Sequence, residues 1–138
     1  MNIIQNDSRS PSELSALASF DFPSRTRLIF GVDSIERVGE LSKQLPAKRI
    51  LLVTDLGIVA AGHAERVKNL LQTEGIDVSV FDQVQENPTT RCVDRCLAFA
   101  KENQIGAIIG LGGGSSMDTA KGCNFLLTNG GAMKDYWG

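Results

Sequence analysis

The run Gly112-Gly113-Gly114-Ser115-Ser116-Met117-Asp118-Thr119-Ala120-Lys121 has the residue types needed to bind a phosphate group. It follows the apolar run 107–111 and precedes a segment with helical spacing. Glycines between a strand and a helix let the backbone approach a ligand that a Cβ atom would hold away. The free N–H groups and the dipole of the first helical turn then attract a phosphate or diphosphate. We therefore expect a cofactor that carries phosphate.

The same run also allows purely structural interpretations. No lysine followed by Ser or Thr completes a Walker loop, and Met117 stands where the G-x-G-x-x-G motif has its last glycine. A tight turn without a ligand is therefore the alternative. Ser115 and Asp118 fit a reciprocal helix cap, and Asp118 and Lys121 fit a solvated ion pair.

Asp55 is the second candidate, because it ends an apolar strand where ligand crevices form in parallel sheets. A carboxylate there can accept hydrogen bonds from both hydroxyls of an adenosine ribose, and it would repel a 2′-phosphate. The alternative is a cap or turn residue before Leu56-Gly57. Unlike the acid of the usual dinucleotide motif, Asp55 precedes the glycine turn rather than following it.

Other residue types give little sign of catalysis. His63 is the single histidine, and without clustered acids it predicts neither a metal site nor a nucleophile–base–acid set. The three cysteines lack zinc-ribbon spacing, so we interpret Cys92, Cys96 and Cys123 as core residues of a protein in a reducing, cytoplasmic compartment. A net charge of −2 favours neither nucleic acid nor an anionic membrane as a partner. No apolar stretch is long enough to span a bilayer.

The order of elements predicts an α/β fold with a parallel sheet and helices on both faces. Four strands are predicted, each followed by a helix: 26–30, 49–55, 76–81 and 107–111. Asp33-Ser34-Ile35-Glu36 is a capping-box pattern for the first helix, which Pro46 closes. Thr89 or Thr90 would cap the third helix, and Asn129-Gly130-Gly131 would end the fourth.

The N-terminal part is predicted to be different in character. Residues 1–24 are expected to form a flexible extension, with Ser10-Pro11-Ser12-Glu13 as the start of a short helix. The organised domain then covers residues 25–138.

Together these residues resemble the iron-containing (group III) alcohol dehydrogenases. The glycine run through Lys121 is similar to the signature of that family. Further similar segments occur in the family's order: 29–31, 53–55, 87–89, 126–131 and 135–138. The resemblance covers nearly everything from residue 25 onward. It implies a Rossmann-like domain that binds NAD or NADP.

The resemblance also implies roles for single residues. Gly113, Gly114 and Ser115 would contact the diphosphate, and Ser116, Met117 and Asp118 would line the same pocket. Asp55 would face the adenosine ribose, which goes with a preference for NAD, and Asn87 would line the cofactor cleft.

The reaction implied is metal-assisted hydride transfer between NAD and a small alcohol or aldehyde. In the family, a helical second domain holds the divalent metal, iron or zinc, on one aspartate and three histidines. This chain stops at Gly138, before that domain and the nicotinamide segment, so we expect it to bind NAD without turnover. A homodimer is a candidate assembly.

Two alternatives remain open at this stage. One is a related glycerol or polyol dehydrogenase or dehydroquinate synthase, although the segments 115–121 and 135–138 favour the alcohol dehydrogenases. The other is a non-catalytic module that binds a phosphorylated metabolite.

Overall fold

The computed structural model describes residues 26–136. The predicted extension over residues 1–24, the helix start at Ser10, and the Trp137-Gly138 end of the tail lie outside this range. Residues 31–136 belong to one compact unit.

A parallel sheet forms the centre of this unit, as predicted. Its strands are β1 (Arg49–Val53), β2 (Asp77–Phe81) and β3 (Ala107–Gly110), in the spatial order β2-β1-β3. At the carboxyl end, Val53 of β1 pairs with Phe81 on one side and with Gly110 on the other. The strand at the centre is thus the first of the three along the chain.

Helices connect the strands. A 3₁₀ turn (Ser34–Arg37) leads into α1 (Val38–Ser42), and α2 (Leu56–Ala60) and α3 (His63–Thr73) follow β1. Next come α4 (Thr90–Glu102), α5 (Gly114–Asn129) and a last 3₁₀ turn (Met133–Tyr136). α5 ends at Asn129 with Gly130 as its C-cap, in agreement with the glycine signal read from the sequence. Within the described range, no helix is long and apolar enough to cross a membrane.

The side chains of β1 alternate between two apolar cores, one on each face of the sheet. Ile50 and Leu52 pack with α3, whereas Leu51 and Val53 pack with α4 and α5. All four are fully buried. This explains the unbroken apolar run of β1 and confirms that helices cover both faces.

One predicted strand is absent, and the first predicted helix ends earlier than expected. Residues 26–30 form no strand, and the sheet of the described residues has three strands rather than four. The apolar run 28–30 is compatible with a strand. A strand also requires a neighbouring strand to pair with, and the sequence pattern gives no information about that pairing. The first helix ends at Ser42, because Gln44 and Leu45 instead donate to carbonyls three residues back, in tight turns before Pro46.

The predicted capping box at Asp33 is also wrong. Asp33 adopts a left-handed conformation with φ 55°, and its side chain makes no capping hydrogen bond. Asp33 and Glu36 instead form ion pairs with Arg66 of α3. The acidic side chains thus interact with Arg66 on a neighbouring helix and form no local cap. At α4, Thr89 occupies the N-cap position, but its hydroxyl forms no cap; its carbonyl accepts from the amide of Cys92.

The cysteines are core residues, as predicted. Cys92, Cys96 and Cys123 are buried and unpaired in the core between the sheet, α4 and α5. A hydrogen bond with Cys123, together with burial, raises the pKa of Cys96 above its ordinary value. This thiol stays neutral and unreactive in the folded protein.

We expect the thiols of the native chain to resist a water-soluble disulfide reagent, because all three are buried. Titration with Ellman's reagent would show slow modification in buffer and three reactive thiols per chain in guanidinium chloride. Rapid native modification of one or more thiols would contradict this packing.

Candidate nucleotide-binding site

The carboxyl ends of β1 and β3 lie side by side, and the chain leaves them toward opposite faces of the sheet. After β1 it enters α2 and α3, and α3 packs on one core. After β3 it enters α5, which packs on the other core. Such a reversal opens a crevice at the carboxyl edge, where ligands bind in open α/β sheets.

Thr54 joins the three strand ends at this crevice. Its hydroxyl donates to the carbonyl of Leu111 at 2.9 Å. Its amide donates to Phe81 at 2.9 Å, and its carbonyl accepts from Val84 at 3.3 Å. Thr54 is fully buried, so it positions the glycine turn relative to β1 and β2. The sequence reasoning missed this residue, whose type carries no signal of such a role.

Gly112 permits the turn that follows β3. Its φ of 136° lies outside the range that L side chains favour, and an added Cβ would lie 2.8 Å from Ser116 Oγ. The same Cβ would lie 3.2 Å from Asp55 Oδ2. A glycine is therefore required where the turn passes between Asp55 and α5.

The backbone amides after Gly112 are free to bind a ligand. Gly113 is the N-cap of α5, and no side chain caps this helix. Among the described residues, none accepts a hydrogen bond from the amides of Gly113, Gly114, Ser115 or Ser116. An added Cβ at Gly113 or Gly114 would meet no atom within 4 Å. Unpaired amides beside open space, at a helix N-terminus, suit an anionic group.

A cavity of about 300 Å³ lies against these amides. The residues that line it come from the ends of all three strands: Asp55, Val84, Gln85, Glu86, Gly113, Gly114, Ser115 and Ser116. The segment Val84-Gln85-Glu86 was not predicted as part of the site. Its position directly after β2 is the signal that would have identified it, since strand ends share one edge of a parallel sheet.

Asp55 has the capping role that its position left open, and it also lines the cavity. Its Oδ1 accepts the amide of Ile58 at 3.0 Å and so caps α2. Its Oδ2 accepts from the hydroxyl of Ser116 at 3.4 Å, and the residue lines the cavity. The cap is confirmed, and the second oxygen keeps acceptor capacity for a ligand.

The other predicted site residues lie apart from this cavity. Asn87 follows the lining residue Glu86 directly; it is exposed and left-handed, with φ 51°. Met117 lines a second cavity of about 270 Å³ on the β3 side of α5. Asp118 is exposed and lines neither cavity.

The structural interpretations of Asp118 are wrong. α5 begins at Gly114, so Ser115 lies within its first turn and cannot act as the N-cap. None of the ion pairs among the described residues joins Asp118 to Lys121. The glycines start the helix earlier than the Ser115-x-x-Asp118 spacing implied.

The charges around the cavity are all negative. Asp55 and Glu86 are acidic, and no lysine or arginine is among the lining residues. A bound phosphate would therefore depend on the amides and the dipole of α5 for its stabilisation. An additional phosphate near Asp55 would be repelled.

A family model described as iron-containing alcohol dehydrogenase matches residues 25–138. The chain belongs to this family.

Relatives in the iron-containing alcohol dehydrogenase family agree with this membership. The chain is 35% identical over 125 residues to alcohol dehydrogenase 4 of Saccharomyces cerevisiae, covering 91% of this chain and 32% of that protein. It is 34% identical over 110 residues to an NAD-dependent methanol dehydrogenase of Bacillus methanolicus, covering 80% of this chain and 29% of that protein. The chain thus spans about a third of the length of these relatives.

A solved structure of a 1,3-propanediol oxidoreductase has the same fold. It superposes with a TM-score of 0.74 at 36% identity, over 77% of this chain and 28% of that protein. This agreement confirms the Rossmann-like fold class inferred from the sequence.

The part of this family member described by the structure does not fit a metal. Within residues 26–136, no group of three or more His, Cys, Asp or Glu side chains could hold an ion. His63 is exposed at the first position of α3. We therefore derive no metal-dependent step from these residues.

Substitution of Gly112 by alanine should destabilise the fold, because Cβ would collide with Ser116 Oγ at an unfavourable φ. We expect a loss of about 1–3 kcal/mol in the free energy of unfolding, measured with urea. Gly113→Ala is the matched control: with φ −80° and no neighbour within 4 Å, it should change stability by less than about 0.5 kcal/mol. Equal effects of the two substitutions would contradict the tight turn.

Proposed function

We propose that this chain is the NAD-binding part of a metal-dependent alcohol dehydrogenase, which transfers hydride between NAD and a small alcohol or aldehyde. The main support is the row of unpaired amides from Gly113 to Ser116 beside an open cavity. Family membership and the NAD dependence named for the Bacillus methanolicus relative add to it.

In this proposal the two halves of the crevice bind different parts of the cofactor. The amides of Gly113, Gly114, Ser115 and Ser116 bind the diphosphate, because they are free N–H donors at the start of α5. Asp55 Oδ2 accepts hydrogen bonds from the adenosine ribose while Oδ1 keeps its cap on α2. Ser116, which donates to Asp55, holds that carboxylate in place.

Asn87, Met117 and Asp118 remain predicted cofactor contacts. Asn87 follows the lining segment Val84-Gln85-Glu86, and Met117 faces the opposite side of the first turns of α5. Asn87 adjoins the crevice, so a dinucleotide longer than the cavity would extend toward it.

NAD supplies the hydride chemistry when bound, and the residues of this chain bind and orient it. We assign cofactor binding to this chain; among the described residues, no group of three or more His, Cys, Asp or Glu side chains could hold a metal. The unpaired cysteines favour a reducing compartment, which we propose to be the cytoplasm. A module that binds a phosphorylated metabolite is the second candidate, favoured by the small size of the cavity.

Titration with NAD, followed by ¹⁵N–¹H NMR, tests cofactor binding. We expect shifts of the Gly113 to Ser116 amides, because they would donate to the diphosphate. Gly114→Ala should keep the fold, since its Cβ meets no protein atom, and should weaken NAD binding by about tenfold or more because Cβ occupies the ligand's space. A phosphorylated metabolite module would instead bind phosphate at these amides as tightly as NAD. Amides that respond to neither ligand would contradict both functions.

Removal of the Asp55 charge should relax the rejection of NADP. Asp55→Asn keeps an oxygen that can cap α2 but no longer repels a 2′-phosphate, so the ratio of NAD to NADP affinity should fall by about tenfold. Asp55→Ser should act in the same direction, since serine also caps helices. An unchanged affinity ratio in both variants, measured by calorimetry, would exclude this role of Asp55.

A further inference from the structure

A third cavity, of about 490 Å³, adjoins the nucleotide-binding crevice. It is lined by Gln85, Thr89, Thr90, Arg91 and Arg95. Gln85 also lines the cavity at the glycine turn, so the two are neighbours. We call this feature the arginine cavity. Its lining residues include two arginines and no acidic residue, the reverse of the charge around Asp55 and Glu86.

Among the residues that the structure describes, Arg91 and Arg95 have no anionic partner. Three other arginines of the described residues each lie within 4 Å of a carboxylate: Arg37, Arg49 and Arg66. No described ion pair includes Arg91 or Arg95, and both side chains are exposed. Two arginines that share a cavity without a carboxylate leave their N–H donors available to a ligand.

The position of these arginines is unfavourable for the helix. Arg91 is the second residue of α4, whose first turn contains no acidic residue. A cation at a helix N-terminus opposes the helix dipole, and Arg95 adds a like charge four residues later; Asp94, three residues after Arg91, offsets part of this repulsion. No packing compensates, since both side chains are exposed. A local arrangement that lowers the stability of a helix without forming a compensating contact is typical of a functional site.

We propose that Arg91 and Arg95 bind a phosphate group, either inorganic phosphate or a phosphate monoester, at a site separate from the glycine turn. Two guanidinium forks can each donate two parallel hydrogen bonds, which together match the several oxygens of a phosphate. Thr89 and Thr90, which also line the cavity, carry hydroxyls that can act as further donors. The cavity at the glycine turn would bind a diphosphate through neutral amides. In the arginine cavity, the positive charges of Arg91 and Arg95 would neutralise the phosphate directly.

Titration of the chain with inorganic phosphate, followed by NMR of backbone amides and arginine Nε–H groups, tests the site. Signals of Thr90, Arg91 and Arg95 should shift with saturation. Arg91→Gln and Arg95→Gln should each weaken binding by about tenfold, because each removes a charged donor pair. Arg95→Lys should lie between these variants and the original chain, since it keeps the charge without the fork. Lys101→Gln, at the other end of α4, is the charge-matched control and should change affinity less than twofold.

A substitution that improves the helix separates binding from folding. Arg91→Glu places an acid in the first turn and opposite charge four residues before Arg95, so its melting temperature should rise. The same variant should lose phosphate binding. Methyl phosphate, titrated in parallel, distinguishes the two ligand sources: tighter binding than inorganic phosphate indicates an organic monoester, and weaker binding indicates free phosphate.

Three results would overturn the proposal. One is an absence of shifts at the arginine cavity. Another is equal weakening by Lys101→Gln and Arg95→Gln, which would indicate a general charge effect. The third is phosphate-induced shifts confined to Gly113–Ser116, which would place the anion at the glycine turn. NAD titration reports separately on that turn, so failure of this site leaves the cofactor proposal independently testable.

Discussion

The absence of a side chain at Gly112 allows the end of β3, the carboxylate of Asp55 and the first turn of α5 to come together. An added Cβ would lie 2.8 Å from Ser116 Oγ and 3.2 Å from Asp55 Oδ2. Because this approach is so close, Ser116 can donate to Asp55, and the amides after Gly112 remain exposed to the crevice. This close approach at Gly112 determines the conformation of the turn and the position of Asp55. It also leaves the start of α5 open.

Thr54 complements Gly112 from the buried side. Its hydroxyl, amide and carbonyl connect the end of β1 to the segments that follow β3 and β2. Loop residues of a binding site are mobile unless a rigid element positions them. Here one buried polar residue with satisfied hydrogen bonds connects two such loops to the central strand, so the site is preorganised before a ligand arrives.

The crevice and the arginine cavity are lined by residues of opposite charge. Around the glycine turn, unpaired amides and the dipole of α5 lie among acidic side chains. In the arginine cavity, formal charges on α4 act without nearby carboxylates. Gln85, the residue common to both linings, follows β2 at the same edge of the sheet.

The parallel sheet, the helices on both faces and the buried cysteines could be predicted because they depend on local periodicity and composition. The unbroken apolar run 50–53 requires cover on two sides, and the positions of Cys92 and Cys96 on α4 follow helical spacing. The glycine turn itself was also predictable, since glycines between a strand and a helix allow the backbone to approach other groups closely. Local caps failed at Asp33 and Ser115 because partners distant in sequence, or an earlier helix start, decided those positions.

From its sequence alone, this protein is an α/β domain whose glycine run suits a phosphate. Only the tertiary structure showed that Asp55 divides its two oxygens between a helix cap and the crevice, that Thr54 joins the strand ends, and that Met117 faces away from the main cavity. These features depend on which strand ends become neighbours in space. Periodicity within a segment carries no information about that arrangement, because it results from pairing between segments that are far apart along the chain.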